Sequence, residues 1–241
     1  MLNGNDLFEY KQFSIQQAHA GMKVGTDCDL LGAMAEGGRK ILDIGTGTGI
    51  LSMMLAQRFP EARITAVEID DNAVMDAKVN FSSSKFAERI CLVHTSFQDY
   101  LKSVDLSDDD NLYDCIVCNP PYFDKSMESK DRSRTRARHT SSLPFSVLIE
   151  GAFSLLKPNG VFSVCIPPEV LSDFTSLCII EGFWPQYVYK VKSIPEKAPK
   201  RYVLVHNKGR VERQEFTFCM RNSDKSRSDW YKNLMKEFHI E

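Results

Sequence analysis

Asn119-Pro120-Pro121-Tyr122 closes an apolar run, Asp114-Cys115-Ile116-Val117-Cys118. These residue types suit one task. A planar amino nitrogen, as in adenine or an amide, spreads its lone pair into a π system and is a poor nucleophile. The side-chain oxygen of Asn119 and the backbone carbonyl of Pro120 can accept its two N–H bonds. That draws the nitrogen toward tetrahedral geometry and aims the lone pair at an electrophile. Catalysis is then positioning plus transition-state electrostatics. No strong base is needed before attack, because the proton can leave afterwards. Two consecutive prolines, Pro120 and Pro121, fix the backbone and remove two donors. Tyr122 offers a flat face for an extruded base. A proline-rich turn after a strand would explain the prolines, but not Asn119 and Tyr122 beside the loop described next.

That loop is Asp43-Ile44-Gly45-Thr46-Gly47-Thr48-Gly49, between an apolar run and a helical pattern. Glycines permit positive φ and let a ligand lie on bare backbone. The following helix start adds unpaired N–H groups. Dinucleotide sites want G-x-G-x-x-G, but Ile50 stands three residues after Gly47, and counting from Gly47 leads to Ser52. An acid at the strand end suits a ligand with an ammonium group and suits a pyrophosphate badly. A second apolar run ends Val67-Glu68-Ile69-Asp70. An acid about 20 residues beyond such a loop can accept both hydroxyls of a ribose. The loop and the acid together suit a ligand with an ammonium and a ribose but no phosphate. The Asp-x-Gly-x-Gly-x-Gly pattern resembles the methyltransferase first motif, which implies S-adenosylmethionine.

The elements that must position these groups alternate. Lys40–Ile44, Ile64–Ile69, Ile90–Val93, Asp114–Cys118 and Val161–Ile166 read as strands. Ile50–Arg58, Asn72–Phe81 and Phe145–Leu156 read as helices, the last stopped by Lys157-Pro158-Asn159-Gly160. Short apolar strands alternating with helices predict an α/β fold, a mostly parallel twisted sheet with helices on both faces. After Phe183 the runs 187–193, 201–206 and 215–220 alternate apolar with polar and have no helix between them. They are expected as antiparallel strands at one sheet edge. Upstream, Phe13-Ser14-Ile15 is a short strand candidate, and Thr26 or Asp27 is placed to cap a helix. Residues 228–238 suggest a last short helix. The expected organisation is a single domain: an entry segment over 1–36, then the main body over 37–241.

The chain has 241 residues, of which 43% are hydrophobic and 26% charged, as in ordinary globular domains. No run approaches the roughly 18 apolar residues of a membrane span, and the N-terminus lacks the look of a signal peptide. A cytoplasmic protein, with a monomer favoured, is expected. The seven cysteines are scattered, which favours free thiols. Cys115 and Cys118 have CxxC spacing, but three apart on a strand they face opposite ways. The five histidines show no ligand-like spacing, so no metal is expected. Net charge is −2, unevenly spread: 125–139 hold six Lys/Arg against Glu128 and Asp131, and 186–210 hold seven against Glu196. Such asymmetry can build one basic face for nucleic acid on an acidic body. Two separate solvated loops would give the same counts.

With these motifs in place, the sequence resembles the class I, Rossmann-like methyltransferases over almost its whole length. The Asp-x-Gly-x-Gly-x-Gly loop matches their first motif, and Asn119 to Tyr122 match the fourth motif of the amino-methyltransferases. More narrowly it resembles the bacterial tRNA1(Val) N6-adenine methyltransferase family. The match rests on Phe13-Ser14-Ile15, Met22-Lys23-Val24-Gly25-Thr26-Asp27 and Leu30-Leu31-Gly32-Ala33. It also rests on Asn119-Pro120-Pro121-Tyr122-Phe123 followed by Arg136-Ala137-Arg138-His139, and on Pro199-Lys200-Arg201. The resemblance implies that Asp43, Gly45, Gly47 and Gly49 line the methionine part of the cofactor, with Glu68 and Ile69 at its ribose side. Ser96 and Phe97 would neighbour the adenine. Many relatives have an acid where Ser96 falls, and a hydroxyl bonds adenine less strongly than a carboxylate. Lys23, Val24 and Thr26 would close over the site. Asn119 and Tyr122 would hold the target base, the adenosine 3′ of the anticodon of a tRNA.

Two other readings share parts of this pattern. Asn-Pro-Pro-Tyr enzymes that methylate protein glutamine face the same planar nitrogen. They give no task to the alternating Arg132, Arg134, Arg136 and Arg138, which are well placed, with Lys200 and Arg201, for phosphates flanking an extruded base. An inert RNA-binding module would be expected to lose Asn119 or the glycines, and this chain keeps both.

Overall fold

The computed structural model describes residues 6–21, 23–120 and 143–240. The entry segment begins with a small hairpin, β1 (Leu7–Glu9) and β2 (Ser14–Gln16). Helix α1 (Thr26–Met34) follows. The main body runs β3 (Lys40–Ile44), α2 (Ile50–Arg58), β4 (Arg63–Glu68), α3 (Asp71–Ser82), β5 (Ile90–His94), α4 (Phe97–Ser103) and β6 (Tyr113–Cys118). It continues through α5 (Phe145–Leu155), β7 (Leu156–Ile166), α6 (Leu171–Glu181), β8 (Trp184–Lys192), β9 (Pro199–Asn207), β10 (Gln214–Cys219) and α7 (Asp229–Met235).

Eight strands form one sheet in the order β10-β8-β9-β7-β6-β3-β4-β5. From β3 the chain moves outward through β4 to β5, then returns to place β6 on the other side of β3. The strand order therefore reverses between β3 and β6, where open α/β sheets bind ligands at the carboxyl ends of their strands. Both sheet faces are buried. Ile41, Ile64, Ala66, Cys115, Val117 and Cys165 pack with α1, α2 and α3 on one side. Leu42, Ile44, Val67, Ile116, Cys118 and Phe162 pack with α4, α5 and α6 on the other. This double burial is why the central strands are continuous apolar runs rather than alternating ones. Cys115 and Cys118 fall in opposite clusters as expected, and all seven cysteines are free.

Three local expectations are corrected. The N-cap of α1 is Gly25, with no side-chain capping bond, so neither Thr26 nor Asp27 caps it. Helix α5 ends at Leu155, just before Lys157-Pro158-Asn159-Gly160 as expected, but β7 starts at Leu156 rather than Val161 and takes those four residues in. The β6–β7 register shifts between Tyr113 and Cys115, so the sheet absorbs the proline and the glycine as a bulge. At the far edge only β9 runs against its neighbours β7 and β8, while β10 pairs with β8 in parallel. The chain leaves β9 at the start of β8 and passes that strand end to reach the outer edge. A hairpin pattern in sequence does not reveal this crossing. Among the described residues no helix is long and apolar enough to cross a membrane, and no group of side chains could hold a metal ion.

Candidate active site

The two motifs meet where the sheet order reverses. Ile44 of β3 pairs with Val67 of β4 on one side and Cys118 of β6 on the other. Gly45 and Asn119 each follow by one residue, so the glycine loop and the Asn-Pro segment leave neighbouring strands at the same end.

The glycine loop is held from beneath. Gly45 and Thr46 both donate their N–H to the Val67 carbonyl, at 2.9 and 3.1 Å. Gly45, Gly47 and Gly49 all have positive φ. At Gly49, which caps α2, a Cβ would also strike the Phe81 ring at 2.3 Å, so glycine is required there on two counts. A Cβ at Gly45 or Gly47 would meet nothing within 4 Å, leaving open space over the backbone.

Asp43 is fully buried beneath this loop. Its Oδ2 accepts from Thr46 Oγ1 at 2.6 Å and from Ser52 Oγ at 2.7 Å. Its Oδ1 is buried with no hydrogen-bond partner. Burial pushes the carboxyl up to about 6, although the two hydroxyls oppose the shift. Glu68, at the end of β4, accepts from Gly47 N at 2.8 Å through Oε2, and from the N–H of Ile69 and Asp70 at 2.9 Å through Oε1. Three backbone donors fix this carboxylate: Oε1 accepts two of them and Oε2 one, so Oε2 keeps a lone pair for a further donor. Ile69 beside it is an exposed apolar side chain.

Ser96 and Phe97 have other engagements. Ser96 caps α4: its Oγ accepts from Asp99 N at 3.0 Å and donates to Asp99 Oδ2 at 2.8 Å. The Phe97 ring lies in the core against Gly151 of α5.

On the acceptor side, Asn119 Nδ2 donates to the Cys28 sulfur of α1 at 3.2 Å. Burial pushes that thiol up to about 12, so it is neutral. Helix α1 thereby joins the entry segment to the end of β6. Thr26 and Lys23 sit at and before the start of α1, both exposed, with Lys23 Nζ 3.1 Å from Asp6. Arg201, at the start of β9, pairs with Asp27 of α1 at 2.6 Å, and Lys200 beside it is exposed. Because β9 runs antiparallel, its start lies at the same sheet end as Asn119. Lys208 and Arg210, counted in the same basic stretch, fall at the opposite end of β9, so that stretch does not form one face. Pro120 follows Asn119 in the structure. Pro121, Tyr122, Arg132, Arg134, Arg136 and Arg138 lie outside the described residues.

Sequence reasoning missed Asn80 and Asp76, buried on α3. Asp76 Oδ2 accepts from the N–H of His19 and Ala20, at 3.0 and 2.8 Å, and its Oδ1 meets His19 Nδ1 at 2.7 Å. Asn80 bonds Gln16 and Thr48. A signal was present. The buried stripe of α3 is Ala73, Asp76, Ala77, Asn80 and Phe81, and two polar residues inside an apolar helical stripe need buried partners.

Residues 17–169 match the Methyltransferase small domain family. The tRNA1(Val) (adenine(37)-N6)-methyltransferase of Shewanella sediminis is 36% identical, with 97% of this chain and 98% of that protein aligned. The like-named protein of Bacteroides thetaiotaomicron is also 36% identical, over 98% of both chains. The chain belongs to this family of methyltransferases.

Solved structures agree on the fold of the family member described here. A predicted O-methyltransferase from Agrobacterium tumefaciens superposes with TM-score 0.68 at 17% identity, covering 88% of this chain and 96% of that one. A Thermus thermophilus 16S rRNA N2 G1207 methyltransferase, solved with AdoMet and guanosine, gives 0.54 at 21% identity, covering 84% and 50%. The residues at the reversal fit S-adenosylmethionine. The unpartnered Asp43 oxygen suits an ammonium, the remaining acceptor site on Glu68 Oε2 suits a ribose hydroxyl, and the open space over Gly45 and Gly47 leaves room for the ligand against backbone.

Proposed function

We propose that this methyltransferase uses S-adenosylmethionine to methylate N6 of an adenine in tRNA, the adenosine 37 of tRNA1(Val). The observation that carries the reading is the placement of Asn119 one strand from the glycine loop, on β6 beside β3. The like-named relatives, aligned over nearly their whole length, supply the substrate.

In this reading the bound cofactor supplies an electrophilic methyl group on its sulfonium. Asp43 and the loop Gly45, Gly47 and Gly49 hold the methionine end, and Glu68 holds the ribose. The exposed Ile69 lies beside Glu68 at the ribose side, and Ser96 and Phe97 at the start of α4 neighbour the adenine. The Asn119 side-chain oxygen and the Pro120 carbonyl accept the two N–H bonds of the target amine and orient its lone pair. Pro121 stiffens the segment, and Tyr122 stacks on the extruded base. The entry segment, residues 1–36, closes over the site through Lys23, Val24 and Thr26, and residues 37–241 form the catalytic body. Arg132, Arg134, Arg136 and Arg138, with Lys200, take the flanking phosphates. Arg201 acts there too, from its bond to Asp27.

Nucleoside mass spectrometry of tRNA from cells lacking the gene tests this directly. N6-methyladenosine is expected to vanish from tRNA1(Val) and to return with the intact gene. In vitro, labelled S-adenosylmethionine is expected to mark the tRNA fraction. Label found only in a protein fraction would overturn the RNA assignment.

A further inference from the structure

Asn80 joins two parts of the molecule that are far apart in sequence. Its side chain is 1% exposed. Oδ1 accepts from Gln16 N at 2.8 Å, while Nδ2 donates to Gln16 O at 2.9 Å and to Thr48 O at 2.8 Å. Both amide hydrogens and an acceptor site are therefore engaged, all with backbone. A carboxamide has the shape of a peptide group, and on β2 it pairs with Gln16 as a neighbouring strand would. Its third bond ends inside the glycine loop, one residue before Gly49. Phe81, the next residue on α3, is the ring that packs on Gly49. Helix α3 thus grips the loop and the entry segment from one point.

The other polar anchor on α3 is different in kind. Asp76 holds His19 and Ala20 of the entry segment only. Asp43 holds the loop and Ser52 of α2, and Glu68 holds the loop and the chain after β4; none of these bonds reaches the entry segment. Among these four, Asn80 touches both.

We propose that Asn80 is a positioning residue that couples cofactor binding in the glycine loop to ordering of the entry segment. The proposal rests on the reading that this segment closes over the site. A ligand that fixes the Thr48 peptide fixes the Asn80 amide. The amide then holds Gln16, and through β2 the stretch leading to Lys23 and Thr26. The coupling is reciprocal, so an ordered entry segment favours cofactor binding by the same factor.

Hydrogen exchange measured by mass spectrometry, with and without S-adenosylhomocysteine, tests the coupling in the full chain. In the wild type the ligand is expected to slow exchange both in residues 44–50 and in residues 14–20. In Asn80→Ala the loop is still protected at saturating ligand, residues 14–20 are not, and affinity falls about tenfold. Asp76→Ala is expected to raise basal exchange in residues 14–20, keep the ligand-induced protection there, and leave affinity within about twofold. Should Asn80→Ala not fold, Asn80→Asp serves: it keeps the acceptor for Gln16 N and turns an oxygen on two carbonyls, with the same expected loss. Entry-segment protection that survives in the Asn80 variant, or that disappears equally in Asp76→Ala, overturns the proposal. A wild type whose loop is protected while residues 14–20 are not would instead overturn the closing role of the entry segment.

Discussion

The loops after β3 and β6 leave the sheet side by side, yet they are held differently. The glycine loop is fixed from within its own strand pair and by α3. Asp43 bonds Thr46 and Ser52, Glu68 bonds Gly47, and Asn80 bonds Thr48, all with buried or nearly buried side chains. Asn119 is tied across the site to Cys28, a residue of the entry-side helix α1. In the proposed reading the cofactor half is thus largely preorganised by the Rossmann-like body, whereas the acceptor half takes part of its position from the entry segment. Preorganised acceptors stabilise a transition state without reorganising during it. The difference implies that cofactor affinity and turnover can be perturbed separately, one from each side.

The largest separation is expected from Asn119→Ala. Removing the transition-state acceptor proposed above should lower kcat by roughly 10²–10³-fold, with S-adenosylmethionine affinity within about twofold, since Asp43, Glu68 and Asn80 hold the glycine loop. Single-turnover kinetics together with calorimetric binding of S-adenosylhomocysteine make the check. Equal losses in both would merge the two halves into one unit.

The cofactor side should show its own dependence on pH. Burial holds the free Asp43 carboxyl at about 6. Above that pH its charge is present for the ammonium proposed to sit beside it; as pH falls through it, protonation removes the charge. S-adenosylmethionine affinity is therefore expected to be flat at neutral pH and to fall by up to about tenfold per unit below 6. The contribution of this carboxyl to the stability of the free chain has the opposite sign. Its folded value lies above the unfolded one, so the folded state binds the proton more tightly and gains as pH drops from about 6 toward 4. Asp43→Asn should bind more weakly and flatten the affinity profile. A wild-type profile that is flat from pH 7 to 5 would remove Asp43 from the ammonium contact.

The central strands, the glycine loop, Glu68 and the Asn-Pro segment were legible in the sequence because each depends on local rules. A strand buried on both faces must be apolar throughout, and a loop with three positive-φ positions must carry glycine. The rest depends on contacts between distant residues. Cys28 lies 91 positions from Asn119, and nothing local at Cys28 marks it. Asn80 and Asp76 were visible only as polar interruptions of a helical stripe, without their partners. The bulge that takes Pro158 into β7 and the parallel seating of β10 are set by neighbouring strands rather than by the residues themselves.

Cys28→Ala tests the reach of α1 into the acceptor half. The thiol is a weak acceptor, so its loss is expected to lower kcat by only about two- to tenfold, with cofactor affinity unchanged. Cys28→Ser, which restores an oxygen acceptor, should recover part of the rate. A Cys28→Ala enzyme as fast as wild type would mean that Asn119 is oriented without help from α1.

The smallest effect is expected at Ser96, and it sharpens the comparison from the cofactor side. Its hydroxyl caps α4 by accepting from Asp99 N and gives its hydrogen to the Asp99 carboxylate. If capping is its main work, Ser96→Ala costs about 1 kcal/mol of stability. In a chain of this size that is roughly 2–4 °C in Tm, with cofactor affinity barely changed. Ser96→Asp keeps a capping oxygen and supplies the acid common in relatives, but sets it against Asp99. It should tighten cofactor binding if the position faces the adenine amino group, and only loosen the helix if it does not. Thermal melts and S-adenosylhomocysteine titrations of both variants separate the two roles. A large affinity loss in Ser96→Ala with an unchanged Tm would move Ser96 from the helix cap to the adenine.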